Sequence, residues 1–182
     1  MPNTGNYAIY IDVNASVGKN GERSFFEMDY ENNRGMQAVN VDFNPPGDLI
    51  VDEISHPYVV TAGDDMTITY NIMNLGPNVL EGFGCNDVFY LSTDYTFSPD
   101  DILLGNVEHE IVLPNYSYEE YDFTANISGV PEGEYYIIIY TDARNAFHEV
   151  DEENNRAYSA YPFEVQVPEL FVDTPITFKL KD

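Results

Sequence analysis

Apolar and polar residues alternate with a period of two along most of this chain, and no stretch of ten residues carries an apolar period of 3.6. Such alternation puts apolar side chains on one face of a half-buried strand, whereas an amphipathic helix would space them at three and four. The clearest runs are Tyr7 to Asp12, Gln37 to Phe43 (Val39, Val41 and Phe43 on one face), Asp64 to Asn74 (Ile68, Tyr70 and Ile72) and Tyr121 to Ile127 (Tyr121, Phe123, Ala125 and Ile127). Tyr161, Phe163, Val165 and Val167 end the series. Shorter apolar segments at Leu49 to Val51, Asp87 to Ser92, Ile102 to Gly105 and Glu110 to Leu113 add strands between them. Tyr135 to Thr141 is apolar without interruption, which predicts a strand covered on both faces. The breaks hold turn formers: Asn44-Pro-Pro-Gly47, Leu75-Gly-Pro-Asn78, Ser92 to Asp101 and Pro131-Glu-Gly133. About seven short strands with a turn every roughly 8 to 12 residues predict an all-β chain folded as an antiparallel β-sandwich.

The pattern also repeats. Phe147-His-Glu-Val-Asp-Glu-Glu-Asn-Asn-Arg156 echoes Phe26-Glu-Met-Asp-Tyr-Glu-Asn-Asn-Arg34, the second asparagines lying 122 residues apart (155 minus 33). Glu169-Leu-Phe-Val-Asp173 echoes Asp48-Leu-Ile-Val-Asp52 at an offset of 121 (169 minus 48), and Gly133 to Tyr140 echoes Gly5 to Asp12 at 128. A repeat of about 120 residues is the size of a small domain and too long for a solenoid coil. Residues 1–43 therefore predict the C-terminal hairpin of a preceding sandwich, 48–167 a complete one, and 168–182 the first strand of a following one. Val13 to Ser24, with Gly18 and Gly21, reads as a flexible excursion within the hairpin. The chain then looks like a window on a tandem array, a fragment or processed form. Its hairpin and its last strand would each present an edge that another copy can fill head to tail.

Charge narrows the partners. The formal net charge of −25 repels phosphate backbones and anionic lipid heads, and no apolar run approaches the ~20 residues of a membrane span. Nucleic acid and membrane insertion are thus disfavoured, and cations are the natural counter-species. Met1-Pro-Asn-Thr-Gly5 has neither the basic start nor the apolar core of a signal peptide. Cys85 is the single cysteine, so no internal disulfide forms. Sequons at Asn14, Asn115 and Asn126 fit an extracellular setting.

The Asp-Leu-x-Val opening, Ala62-Gly63, Asn74-Leu-Gly76, Tyr90-Leu-Ser92 with Asp94 and Asp101, Gly133-x-Tyr-Tyr136, Asp142 and the Glu-x-Asp-Glu-x-Asn-Asn close together resemble the CARDB domain, a cell-adhesion-related module of bacterial and archaeal surface proteins. The resemblance covers residues 48–167, with partial copies on either side. It implies an immunoglobulin-like sandwich occurring in tandem in large secreted or cell-surface chains, and no catalysis. The Cys/Trp/Cys core of antibody domains is absent, and the third copy opens on Glu169 in place of Asp.

Two acidic loops are candidate Ca²⁺ sites. The first holds Asp142, Glu149, Asp151 and Glu153, accompanied by Asn145, Glu152 and Asn154, and its counterpart in the preceding copy holds Asp12, Glu27, Asp29 and Glu31. Closely spaced carboxylate and amide oxygens suit a cation that takes 6–8 oxygen ligands in flexible geometry, although the spacing is not that of an EF-hand. The competing reading has Asn154 and Asn155 bonding the backbone of a hairpin turn while the acids are solvated. The second loop, Asp94 to Asp101, fits Ca²⁺ or an Asx-type turn. His56, His109 and His148 read as scattered surface residues, and the chain has no nucleophile elbow, zinc spacing or phosphate loop. The tyrosines and phenylalanines read mostly as core, with a sugar-stacking platform as the alternative. The expectation is a non-catalytic extracellular adhesion or stalk module whose partners are neighbouring repeats or further copies. The alternative is a carbohydrate-binding accessory module of a secreted hydrolase, with surface glycans as its partner.

Overall fold

The computed structural model describes residues 4–14, 26, 28–29 and 31–168, and these form eleven strands and no helix. They fall into two units, Met1–Asn44 and Pro45–Asp182. Residues 15–25, Glu27 and the tail from 169 onward, on which the predicted excursion and the last predicted strand fall, lie outside the described residues.

The first unit is one antiparallel hairpin, β1 (Gly5–Asp12) and β2 (Arg34–Val41), in register from Gly5↔Val41 to Asp12↔Arg34. Asp12 and Arg34 close it with a bidentate ion pair, Nε–Oδ1 2.6 Å and Nη2–Oδ2 2.9 Å, and the Arg34 hydrogen bond holds the Asp12 carboxyl below its usual range. Ile9, Tyr10, Ile11 and Met36 are exposed.

The second unit is the sandwich. Its strands are β3 (Leu49–Ser55), β4 (Val59–Thr61), β5 (Asp65–Asn74), β6 (Leu80–Ser92), β7 (Ile102–Leu113), β8 (Tyr118–Asn126), β9 (Gly133–Tyr140), β10 (Arg156–Tyr158) and β11 (Phe163–Gln166). One sheet runs β3-β5-β8, and the other runs β4-β11-β9-β6-β7, with β10 also on β9. The opening segment is split between them: β3 pairs antiparallel with β5, whereas β4 crosses over and pairs parallel with β11. Alternation decides what is buried. Met66, Ile68, Tyr70 and Ile72 of β5 face Phe89 and Leu91 of β6 and Ile137 and Ile139 of β9 in one core. Phe89 stacks on Phe123 with ring centroids 3.9 Å apart.

Three differences from the sequence reading have local causes. The segments at Ile102 and Glu110 are one strand, because Gly105 does not break it; a Cβ there would sit 3.1 Å from the Phe123 ring, so glycine admits the aromatic. β6 begins at Leu80, seven residues before the predicted start, with its register shifting between Gly82 and Cys85. Several aromatics read as core lie on the outer face or in a loop: Tyr90, Tyr136, Tyr140 and Tyr158 are partly exposed, and Tyr95 and Phe97 are exposed.

The junction into the sandwich is tight. A Cβ on Gly76 would meet the Gly47 Cα at 2.4 Å. Asn74, fully buried, accepts from the Asp48 and Gly76 amides (3.0 and 2.9 Å) and donates to the carbonyls of Asn78, Leu113 and Pro114.

Candidate functional site

The loop between β9 and β10 turns sharply because Asp142 and Asn145 take left-handed backbone conformations (φ 42° and 50°), which short polar side chains tolerate. Asp142 caps the turn, its two oxygens accepting from the Ala146 and Phe147 amides, each at 2.9 Å. Burial raises its carboxyl above the usual range against those two hydrogen bonds. Glu149 is 3% exposed, accepts from the Leu49 amide through Oε2, and takes the Asn155 side-chain amide on Oε1 at 2.8 Å. Burial, together with the charges of Asp142 and Glu152, pushes it up to about 7 despite those bonds. Asp151 is exposed and its Oδ1 takes the Glu153 amide at 3.0 Å, while Glu153 is itself exposed.

The loop also grips the start of the sandwich. The Val150 amide donates to the Gly47 carbonyl (3.0 Å), the Asp151 amide to Asp48 Oδ1 (3.0 Å) and the Asn154 side chain to Asp48 Oδ2 (3.1 Å). Most of the predicted acids are thus engaged with backbone rather than gathered around one point. Two amide oxygens are left over: Asn154 Oδ1 and Asn155 Oδ1 are buried without a hydrogen-bond partner. In the hairpin unit Asp29 Oδ1 takes the Glu31 amide at 2.9 Å, and Asp12 is spent on Arg34. In the loop after β6, Asp94 takes the Thr96 amide (2.6 Å), which is Asx-turn bonding, and Asp101 reaches back to the Ser98 amide (2.8 Å).

A second cluster, missed by sequence reasoning, lies inside the core. Asp87 on β6 is fully buried, and four donors converge on its carboxylate: Tyr70 Oη (2.7 Å), His109 Nε2 (2.8 Å), Thr141 Oγ1 (2.7 Å) and Cys85 Sγ (3.7 Å). Cys85 and Asp87 share the inner face of β6 by alternation, and His109 is the cross-strand partner of Cys85 on β7. His109 is therefore a strand residue facing inward and not a surface loop residue. Its Nδ1 is buried without a partner, so Nε2 carries the proton donated to Asp87. Burial first, and then the Asp87 charge, push the Cys85 thiol up to about 12 and the Tyr70 phenol far above its usual range. The ligand atoms of Cys85, Asp87 and His109 lie within 4.8 Å of one another, the one group of three metal-competent side chains so gathered among the described residues. The sequence signal for it was Cys85-x-Asp87, two polar residues on the inward positions of an otherwise apolar strand. His56 is buried between the carbonyls of Pro57 and Tyr161, and His148 is exposed.

Two packed sheets, antiparallel except for the parallel β4–β11 pair, an opening segment shared between them and no helix among the described residues define an immunoglobulin-like β-sandwich. The chain belongs to the CARDB family, whose match spans residues 46–159. Among solved structures it is similar to the CARDB domain of a Pyrococcus furiosus protein crystallised in complex with di-metal ions, at 22% identity and a TM-score of 0.50, covering 70% of this chain and 100% of that one. A solution structure of the same domain gives 23% identity and a TM-score of 0.49 over 68% and 98% of the two chains. A domain of a Methanosarcina acetivorans protein, provisionally assigned to the cell surface, gives 20% and 0.49 over 67% and 93%. Among curated proteins nothing matches.

Proposed function

We propose that the chain is a non-catalytic module of an extracellular or cell-surface protein, a repeat of a stalk or filament that joins its neighbours head to tail and is stabilised by Ca²⁺. One observation carries the tandem part. The hairpin unit and the β9–β10 hairpin of the sandwich share a backbone hydrogen bond, a strand pairing and an aspartate turn bond at corresponding positions. Val13 N–H donates to Asn33 O as Thr141 N–H donates to Asn155 O, both at 2.9 Å. Asp12 pairs with Arg34 as Tyr140 pairs with Arg156, and Asp29 takes Glu31 N–H as Asp151 takes Glu153 N–H. In the sandwich, β9 is paired on both edges, to β6 and to β10 and β11, whereas β1 pairs only β2 among the described residues. An open strand edge is a template for strand addition, and a heterologous contact between copies propagates unless it closes. Light scattering on the full chain and on a chain lacking residues 168–182 tests this. Concentration-dependent assembly is expected of the first only, and equal mass for both at every concentration overturns it.

Ca²⁺ is assigned to the loop after β9. The donors are hard oxygens, the carboxylates of Asp142, Glu149, Asp151 and Glu153, and the same loop carries the unpartnered amide oxygens of Asn154 and Asn155. A cation bound beside Glu149 would offset the burial of its carboxylate. The Pyrococcus domain crystallised with metal ions supports looking for one. Chelation at low ionic strength is expected to lower the melting temperature, and no change overturns the assignment.

A second reading, a carbohydrate-binding accessory module, is favoured by one feature. Aromatic rings cluster on the outside of β6, β9 and β10: Tyr95 lies 4.1 Å from Tyr136, and Arg156 sits over Phe97 (4.3 Å) and Tyr140 (4.8 Å). Binding on a glycan array that Tyr136→Ala abolishes would establish it.

A further inference from the structure

We infer that Cys85, Asp87 and His109 form a structural site for Zn²⁺ or a similar borderline-soft divalent ion, inside the core and separate from the oxygen-lined loop. A sulfur, an imidazole nitrogen and one carboxylate are the donor set such an ion prefers, whereas Ca²⁺ takes oxygen. The spacing is close to what the ion requires. Tetrahedral ligands at ~2.0–2.3 Å from zinc lie roughly 3.3–3.8 Å from one another. Cys85 Sγ is 3.7 Å from Asp87 Oδ1, His109 Nε2 is 2.8 Å from Asp87 Oδ2, and the three ligand atoms lie within 4.8 Å of one another, so the imidazole has to move out from Oδ2 to admit the ion.

His109 is able to move. It comes from β7, which ends its sheet, and its side chain is 16% exposed while Asp87 is fully enclosed. Of the three ligands it is the one that reaches solvent, since Cys85 and Asp87 are fully buried. Thr141 Oγ1, 3.6 Å from the sulfur and 2.7 Å from Asp87 Oδ1, lies on a fourth side. Tyr70, donating to Asp87 Oδ2, supplies the outer hydrogen bond that holds a ligating carboxylate in orientation.

Charge argues the same way. Without metal, the Asp87 carboxylate lies fully buried and held only by hydrogen bonds from side chains, and taking it out of water costs desolvation. With a divalent ion, one thiolate and one carboxylate, the site sums to zero. The balance is simple: the Cys85 thiol releases its proton to solvent, and the His109 proton leaves Nε2 for Nδ1. Nδ1 is free to receive it, being buried without a partner in the metal-free arrangement. The result is a clip between β6 and β7 at the point where Cys85 and His109 face each other.

The test uses the full chain, denatured and refolded so that the sealed core opens, with Co²⁺ as a spectroscopic stand-in. Because Cys85 is the only cysteine, a thiolate-to-cobalt charge-transfer band reports this site alone. The expected result is one equivalent of cobalt with that band, its loss on adding zinc but not calcium, and its absence in Cys85→Ser. His109→Gln is expected to weaken retention at least tenfold, with circular dichroism confirming that each variant folds. No band from correctly refolded wild type overturns the site, and so does zinc retained equally by folded Cys85→Ser, which would place the ion on surface acids. The Ca²⁺ reading is judged separately by chelation and stands or falls without this result.

Discussion

Glu149 makes the pH dependence of stability a direct probe of the loop. The perturbation is Glu149→Gln, compared with wild type across pH. In the fold the group ionises near pH 7, whereas an ordinary glutamate does so at 4.5. Between those values the folded state holds a proton that the unfolded state has released, so unfolding becomes easier as pH rises, by about 1.4 kcal/mol per pH unit. Glu149 therefore costs the fold nothing below pH 4.5 and about 3 kcal/mol above pH 7, the loss building up through that window. For a chain of this size the difference amounts to roughly 6–12 °C in melting temperature. Other acids also repel one another as pH rises, which is why the difference between variant and wild type is the quantity to follow. Glutamine offers one acceptor oxygen in place of two, so it loses one of the bonds from Leu49 or Asn155, an offset that does not vary with pH. The level of the difference curve thus reports the lost bond, and its slope reports the ionisation. Differential scanning calorimetry in steps from pH 4.5 to 7.5 should show the variant gaining on wild type as pH rises. Saturating Ca²⁺, which favours the carboxylate, should flatten the wild-type trend. A difference curve with no slope over this window refutes the reasoning.

The remaining expectations concern packing and are read by chemical denaturation. Asn74→Ala removes a buried amide that serves five backbone groups, and losing about 3 kcal/mol or more is expected, since each orphaned group costs about 1–3. Gly76→Ala should cost about 1–3 kcal/mol, because its Cβ runs into Gly47 backbone that cannot swing away. Phe89→Ala opens a cavity under Phe123 and should cost about 3–5 kcal/mol. A loss below about 0.5 kcal/mol at any of the three would show that its neighbours rearrange freely.

Legibility in the sequence followed the range of the interaction. Period-two alternation is local, so the strands and their inward faces could be read directly: Met66, Ile68, Tyr70 and Ile72 are buried as alternation requires. Strand ends were less legible. A glycine looks like a break, and only the nearness of Phe123 explains why Gly105 sits inside a strand. The core cluster depends on register. Cys85 and Asp87 are two apart and visible together, but His109 joins them through a cross-strand pairing 24 residues on (109 minus 85), which no local pattern encodes. The acids of the loop were found by composition, yet their tasks were not, because the Leu49 amide that Glu149 accepts lies 100 residues away.

That distance explains the repeat itself. The two motifs that recur with nearly the same offset, the Asp-Leu-x-Val opening and the Glu-x-Asp-Glu-x-Asn-Asn close, are two halves of one contact in the sandwich. Glu149 holds the Leu49 amide, Val150 holds the Gly47 carbonyl, and Asp151 and Asn154 hold the Asp48 carboxylate. Losing either half leaves the other with unpaired polar groups, at about 1–3 kcal/mol for each one buried, which gives the two motifs a physical reason to occur together. The sequence carries one further copy of each half, Phe26 to Asn33 near its start and Glu169 to Asp173 near its end. Asn33 corresponds to Asn155, whose side-chain amide is satisfied by Glu149, and the Asn33 side-chain nitrogen is buried without a partner. Under the head-to-tail proposal the opening strand of one copy meets the closing loop of the next, and the specificity of that joint comes from the same bonds that already close the sandwich.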